Sequence, residues 1–236
     1  MTIIYDTSFI DVNLAGQKIF PTNLNDNEDT TQKLEILSRP LSGRNIQHLV
    51  NNLEQNGLGY RIDTNVLSQI AINTNLQNSH LFINLTNSSL HKININNIIS
   101  KLDNIKGIVT LEISESYHGW RHDECLNSIM LLKELGYSIA IDDFSNNYKF
   151  SLDELNQIKP DYIKIDKDCF TTLSEKRLQH LIATLRKHVT ESNILIEGVS
   201  SKHLLDKAAF VGANYIQGYF LHTPELISSP VKLEIF

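Results

Sequence analysis

The sequence predicts an α/β fold built on a parallel sheet, with a (β/α) barrel as its closed form. From residue 80 onward, short runs rich in Ile and Val alternate with longer segments of helical period, the pattern of repeated βα units. Acidic and amide residues interrupt those short runs at or near their ends, where a barrel gathers its loops. The length of 236 residues suits one such barrel, which typically needs about 250. Hydrophobic residues at 41% and charged residues at 20% supply one sizeable core and exclude a disordered or fibrous chain.

Taken in order, residues 1–32 read as an irregular start, and the polar, turn-rich stretch 21–31 as a surface loop. Lys33–Leu37 has strand character, and 43–56 and 64–76 are expected to be helices, the second carrying Val66, Ile70 and Ile72. Strands are expected at Leu81–Leu85, Ile108–Ile113, Tyr137–Asp142, Asp161–Ile165, Asn193–Glu197 and Asn214–Gln217. A helical face through Leu126, Ile129 and Leu132 closes at Gly136, and Ser151-Leu-Asp-Glu154 is a capping box whose helix ends at Pro160. Leu178, Leu181, Ile182, Leu185 and Val189 recur at helical spacing, as do Leu204, Leu205, Ala208 and Ala209, which Gly212 terminates. No repeat of 20 to 50 residues and no domain-scale linker breaks this run, so residues 1–236 are expected to form a single domain.

A formal net charge of −6 disfavours a nucleic-acid polymer as partner. The two cysteines, Cys125 and Cys169, cannot build a zinc ribbon or a disulfide framework, and Cys125 on a helix face reads as a buried small hydrophobe. Residues 1–20 lack the basic start and apolar run of a signal peptide, and no run approaches the ~18 apolar residues of a membrane span. A cytoplasmic location without a membrane segment is the expectation.

The chemistry lies in the interrupted strands. Glu35, Asn84, Glu112, Asp142 with Asp143, Lys164, Glu197 and Gln217 each fall within or at the end of a strand candidate. Any one of them alone reads more readily as a cap, a salt-bridge partner or a solvated strand end than as a site residue. Their recurrence on strand after strand is different, because a barrel would bring them to one mouth, where clustered carboxylates repel unless cations lie among them. An all-oxygen donor set without thiolate suits Mg²⁺ or Mn²⁺ better than Zn²⁺, and adjacent aspartates can share two ions of a phosphoryl-transfer site. Gly57-Leu-Gly59 lacks the third glycine of a dinucleotide loop, and His118 and His122 read as surface or substrate-side residues.

The segments Glu35-Ile-Leu-Ser-Arg39, Phe82-Ile-Asn84-Leu, Leu111-Glu-Ile-Ser-Glu115-Ser, Ile139-Ala-Ile-Asp-Asp-Phe144, Asp161-Tyr-Ile-Lys-Ile-Asp166, Ile196-Glu-Gly-Val199 and Gln217-Gly-Tyr-Phe220 resemble, in order, the motifs of the EAL-domain family of cyclic di-GMP phosphodiesterases. The resemblance spans residues 33–224 and implies an EAL-like modified TIM (β/α)8 barrel. It further implies two ions, Mg²⁺ or Mn²⁺, with Glu35, Asn84, Glu112 and Asp142 at one and Asp142, Asp143 and Glu197 at the other. Glu35, Lys164 and Glu197 are thereby expected to be catalytic, with Lys164 near the attacking water. Arg39 would contact a substrate phosphate, Gln217 would complete the site, and Glu115 would anchor the loop after the paired aspartates. The implied reaction is in-line hydrolysis of cyclic di-GMP to linear pGpG, in a chain able to form a homodimer.

Several positions depart from the family pattern. The glycine-bearing Phe-Gly-Thr-Gly-Tyr-Ser-Ser loop is replaced by Phe144-Ser-Asn-Asn147-Tyr-Lys-Phe150, Ile36 stands for the signature alanine, and Ser200 for a second glutamate. The family's N-terminal Gln-Pro-Ile strand is not recognisable near Tyr5. The altered loop leaves an alternative: a catalytically weak or inactive EAL-like module that binds cyclic di-GMP or a protein partner.

Overall fold

Side chains alternate across a strand, so a closed sheet must fill its interior with one set of residues and cover its exterior with the other. The computed structural model describes residues 12–23, 31–40, 45–114, 123–145 and 152–227. Along them run β1 (Val12–Pro21), β2 (Lys33–Pro40), α1 (Ile46–Gln55), α2 (Tyr60–Ile72), β3 (His80–Leu85), α3 (Lys92–Leu102), β4 (Ile108–Ser114), α4 (Asp123–Glu134), β5 (Ser138–Phe144) and α5 (Leu152–Ile158). There follow β6 (Tyr162–Ile165), α6 (Lys167–Thr172), α7 (Glu175–His188), β7 (Asn193–Ile196), α8 (Lys202–Val211), β8 (Tyr215–Ile216) and β9 (Glu225–Leu226).

Strands β2 to β8 pair in sequence order and in parallel. β1 lies antiparallel between β2 and β8 and closes an eight-stranded barrel, with β9 added beside it. This is the expected (β/α) barrel, and the antiparallel β1 is its modification.

Alternation sorts the core into two compartments. Leu81 and Ile83, Ile139 and Ile141, Ile163 and Ile165, and Ile194 and Ile196 belong to the apolar layer between sheet and helices, where Leu178, Leu181, Ile182 and Leu185 of α7 meet them. Burying each such side chain stabilises the fold by roughly 1.5–3 kcal/mol. The residues between them turn the other way: Ile19, Phe82, Ala140, Tyr162 and Leu195 form a separate cluster, with Tyr215 packed against it. Phe82 meets Tyr162 edge-on at 4.9 Å between ring centroids, the geometry that aromatic quadrupoles favour. This inner cluster is the apolar floor of the site described below.

Most of the expected elements are present, with informative differences. The start is not irregular throughout, because Val12–Pro21 forms a ten-residue strand. The helix expected at 64–76 begins at Tyr60 and ends at Ile72, after which Asn73 caps a separate 3-10 turn at Thr74–Leu76. Helices α3 and α6 are additional to the elements that the sequence pattern predicts. The asparagine-rich sequence of α3 masks its buried stripe of Ile95, Ile98 and Leu102, and α6 is only six residues long with Asp166 capping its first turn. Cys125 is buried on α4 as expected, and Gly212 (φ 86°) closes α8 in the left-handed conformation. Ser151 lies outside the described residues.

The loop that follows β7 is pinned to the one that follows β8. Val199 N–H donates to the Gln217 carbonyl at 3.0 Å, and Phe220 N–H donates to the Val199 carbonyl at 3.1 Å. A Cβ on Gly218 would lie 2.1 Å from the Val199 carbonyl oxygen. Gly218→Ala is therefore expected to destabilise the fold by about 3 kcal/mol, lowering Tm by roughly 6–12 °C in thermal unfolding.

Candidate metal centre and active site

One step of the strand period above the apolar floor, the chemistry changes abruptly. Phe82 is followed two residues later by Asn84, Ala140 by Asp142, Tyr162 by Lys164, Leu195 by Glu197 and Tyr215 by Gln217. Parallel register sets Asn84 opposite Glu112, Glu112 opposite Ala140 and Lys164 opposite Leu195, so the polar residues follow the stagger of the barrel towards one end. Every residue expected at the site from its strand position thus reaches one end of the barrel, the carboxyl ends of its parallel strands.

Lys164 is the centre of the group. Its side chain has no exposed surface, and its Nζ lies 2.6 Å from Glu112 Oε1, 2.8 Å from Glu197 Oε1, 3.0 Å from Asp142 Oδ1 and 3.3 Å from Glu35 Oε1. Burial alone would push its ammonium down, but the combined field of Asp142, Glu112, Glu197 and Glu35 holds it well above the ordinary lysine value. One cation does not satisfy the carboxylates. Burial, with repulsion from Glu35 and Asp142, keeps Glu112 well above the usual carboxylate range despite Lys164. Glu197 is pushed up to about 8, chiefly by burial and further by Asp142 and Glu35. Asp143 rises to about 6, from burial and from its neighbour Asp142.

Adjacent residues on a regular strand face opposite ways, so Asp142 and Asp143 cannot both serve one site without an irregularity. It is present. The register between β5 and β6 shifts between Ile141 and Phe144, and Asp143 takes the left-handed φ of 55°. Asp143 N–H donates to Asp142 Oδ1 at 3.0 Å, which steadies the bend.

Carboxylate oxygens of Glu35, Glu112 and Asp142 lie within 4.8 Å of one another, as do those of Asp142, Asp143 and Glu197. Asn84 donates through Nδ2 to Glu112 Oε2 at 3.0 Å, which leaves its carbonyl end for a cation. Gln217 donates through Nε2 to Glu35 Oε2 and, at 3.1 Å, to Gln17 Oε1. Its own Oε1 is buried and has no hydrogen-bond partner among the described residues. Oxygen donors in two convergent groups, incompletely neutralised carboxylates and an orphaned buried acceptor together suit hard divalent cations with coordinated water. Arg39 stands at the exposed rim of the same cleft, whose volume is about 680 Å³ and whose wall includes Ile46 and Val50 of α1. A second cavity, about 730 Å³, opens near the start of β2 between Lys18, Lys33 and Tyr215 and holds none of the carboxylates. Glu115, His118, His122 and Asn147 lie outside the described residues.

Two contributors went unread in the sequence. Gln17 sits on β1 opposite Glu35 and is buried, which brings a second amide to the carboxylate on β2. A glutamine on the alternating run from Val12 was the available sign of it. Asp63, buried on the apolar face of α2 with Ile62 and Val66, borders the cleft and accepts at Oδ2 from Thr86 N and Oγ1, both at 2.7 Å, and from Ser89 Oγ at 2.6 Å. A charged residue within a helical apolar stripe was the sign there.

The fold and this mouth define an α/β barrel that presents, at the carboxyl ends of its strands, a cluster of carboxylates with the chemistry to hold metal ions. The EAL domain model matches residues 25–224, and the chain belongs to the EAL domain family. The cyclic di-GMP phosphodiesterase TpdA of Vibrio parahaemolyticus is 29% identical over 203 residues, covering 82% of this chain and 35% of that protein. The chain thus spans about a third of that relative's length. Among solved structures, the PaMucR phosphodiesterase in complex with c-di-GMP superposes with a TM-score of 0.75 at 21% identity, covering 91% of this chain and 97% of that one. BlrP1 of Klebsiella pneumoniae, in a manganese and cyclic di-GMP complex, superposes with a TM-score of 0.74 at 18% identity, over 98% of this chain and 60% of that one. At these identities the structural likeness establishes the fold. Among the described residues no helix is long and apolar enough to cross a membrane.

Asp63 supplies a test of the cleft's wall. Burial pushes its carboxyl up to about 7, against the hydrogen bonds from Ser89 and Thr86, with Glu54 adding repulsion. A carboxyl raised on folding contributes stability that is fully present below its unfolded value near 4 and is lost as pH rises through about 7. Asp63→Asn carries no such charge, so its Tm is expected to gain on the wild type by several degrees between pH 4 and pH 8. The underlying free energy is on the order of 1–4 kcal/mol, read from thermal melts across that range.

Proposed function

We propose that the protein is a cyclic di-GMP phosphodiesterase that hydrolyses one phosphodiester bond to give linear pGpG and so lowers this bacterial second messenger. The observation that carries the reading is the meeting of Glu35, Glu112, Asp142, Asp143 and Glu197 around a single lysine. Two divalent cations together with Lys164 balance the charge of those five carboxylates, and the relatives' activity gives the mouth its substrate.

Glu35, Asn84, Glu112 and Asp142 are assigned to one Mg²⁺ or Mn²⁺, and Asp142, Asp143 and Glu197 to the other. Bound there, such ions lower the pKa of coordinated water and take up charge on the phosphate oxygens. The chain's own groups do the rest. Gln217, anchored through its Nε2, would offer its buried Oε1 to a coordinated water and so complete the site. Lys164 holds a buried positive charge among the carboxylates and would lie near the attacking water, while Arg39 would clamp a phosphate oxygen at the rim with its forked donors. The apolar floor of Phe82, Tyr162 and Leu195 excludes water from below, which strengthens these electrostatic contacts.

Incubation of the purified protein with cyclic di-GMP and Mg²⁺ or Mn²⁺ is expected to yield pGpG by chromatography with mass identification. Glu35→Ala and Asp142→Ala should each lower turnover by roughly 10²–10³-fold, and near-wild-type activity in either would remove it from the site. Arg39→Ala is expected to weaken cyclic di-GMP binding by roughly tenfold or more while slowing the saturated single-turnover rate less, because a phosphate clamp acts in ground and transition states alike. Tight binding of cyclic di-GMP with no pGpG in either metal would instead identify the binding module to which Ser145 and the altered loop point.

A further inference from the structure

Four of the carboxylates assigned to metal already hold a cation. Lys164 Nζ is within 3.3 Å of Glu35, Glu112, Asp142 and Glu197 at once, on a side chain with no exposed surface, rooted above the fully buried Phe82 and Leu195. Asp143, by contrast, is the more accessible of the two aspartates, and Asn84 meets the cluster through its Nδ2, which donates to Glu112 Oε2. Lys164 therefore stands where the two groups of oxygens overlap, since Asp142 belongs to both.

We propose that Lys164 is a resident counter-ion: it holds the four carboxylates in a metal-ready arrangement and sets the affinity for divalent cations by competing with them for the same oxygens. The inference rests on the metal-dependent reading above but concerns binding rather than turnover. Two physical effects follow from one ammonium. Without it, the buried carboxylates would repel one another, and the barrel mouth would be less stable in the absence of metal. Its positive charge also lies within a few ångströms of any ion that uses those oxygens, so it opposes the ion directly and must surrender contacts to it.

Mn²⁺ titration by calorimetry at pH 8, without substrate, separates the outcomes. Lys164→Met is expected to bind Mn²⁺ at least tenfold more tightly than the wild type. In thermal melts it should unfold at lower temperature without metal and gain more degrees on Mn²⁺ addition. Equal or weaker Mn²⁺ binding by folded Lys164→Met, with a wild type that does bind, overturns the counter-ion role and leaves the phosphodiesterase reading standing. No Mn²⁺ uptake by either protein overturns both. If Lys164→Met folds only with Mn²⁺, at concentrations below those that half-saturate the wild type, the proposal is supported. If it does not fold at all, a crystal structure of wild-type protein soaked in Mn²⁺ decides. Lys164 should then retain at most two of its four carboxylate contacts, and retention of all four overturns the proposal.

Discussion

A lysine enclosed by four carboxylates in a barrel interior is stable only if the surrounding protein keeps the whole set together, because each ion alone would cost several kcal/mol to bury. That requirement explains the layering of the barrel. Below the charges lies a floor of Phe82, Ala140, Tyr162, Leu195 and Ile19, too apolar and close-packed to let any charged group sink into it. Above lies the open cleft. The strand period of two places the charges between them, and the same period directs Ile139, Ile141, Ile163 and Ile165 outward to the helices, so the ionic cluster costs the main core nothing in packing.

The exception to regular alternation is where the chemistry is most demanding. A straight β5 would send Asp143 into the isoleucine layer when Asp142 faces the mouth. Instead the strand bends, and a non-glycine residue accepts the left-handed conformation, for which aspartate is among the better-suited residue types. Strain of about 1–3 kcal/mol at such a position persists only where the surroundings over-determine it. Here Asp166 N–H donates to the Phe144 carbonyl at 3.1 Å on the far side of the bulge, and Phe144 itself is fully buried.

How much of this could be read from residue order alone follows the same physics. The parallel strands and the mouth residues Glu35, Asn84, Glu112, Asp142, Lys164, Glu197 and Gln217 were legible because each polar residue interrupts an Ile- and Val-rich run, a local pattern. β1 was not, since its pairing is set by distant partners: Gln17 faces Glu35 across an antiparallel register, and Phe20 faces Ile216. Lys164 was placed correctly at the mouth, but its enclosure by four carboxylates depends on side-chain reach from β2, β4, β5 and the end of β7. Asp63 escaped for a related reason, as its hydroxyl partners arrive from the turn after β3.

The antiparallel β1 earns its place through this non-local pairing. A parallel closing strand would need its own crossover helix; an antiparallel one can enter directly and align with β2 along Val12–Ile19. That alignment sets Gln17 level with Glu35, within reach of Gln217, while Gln17 Nε2 donates to the His222 carbonyl at 3.0 Å. A chain of amides thus runs from the segment after β8, through β1, to the carboxylate on β2. Glu35 sits at the seam where the barrel closes, on the strand that β1 pairs along its length. Its orientation is consequently tied to closure itself: loosening β1 would free the two glutamines, and with them the oxygen of Glu35 that Lys164 does not hold.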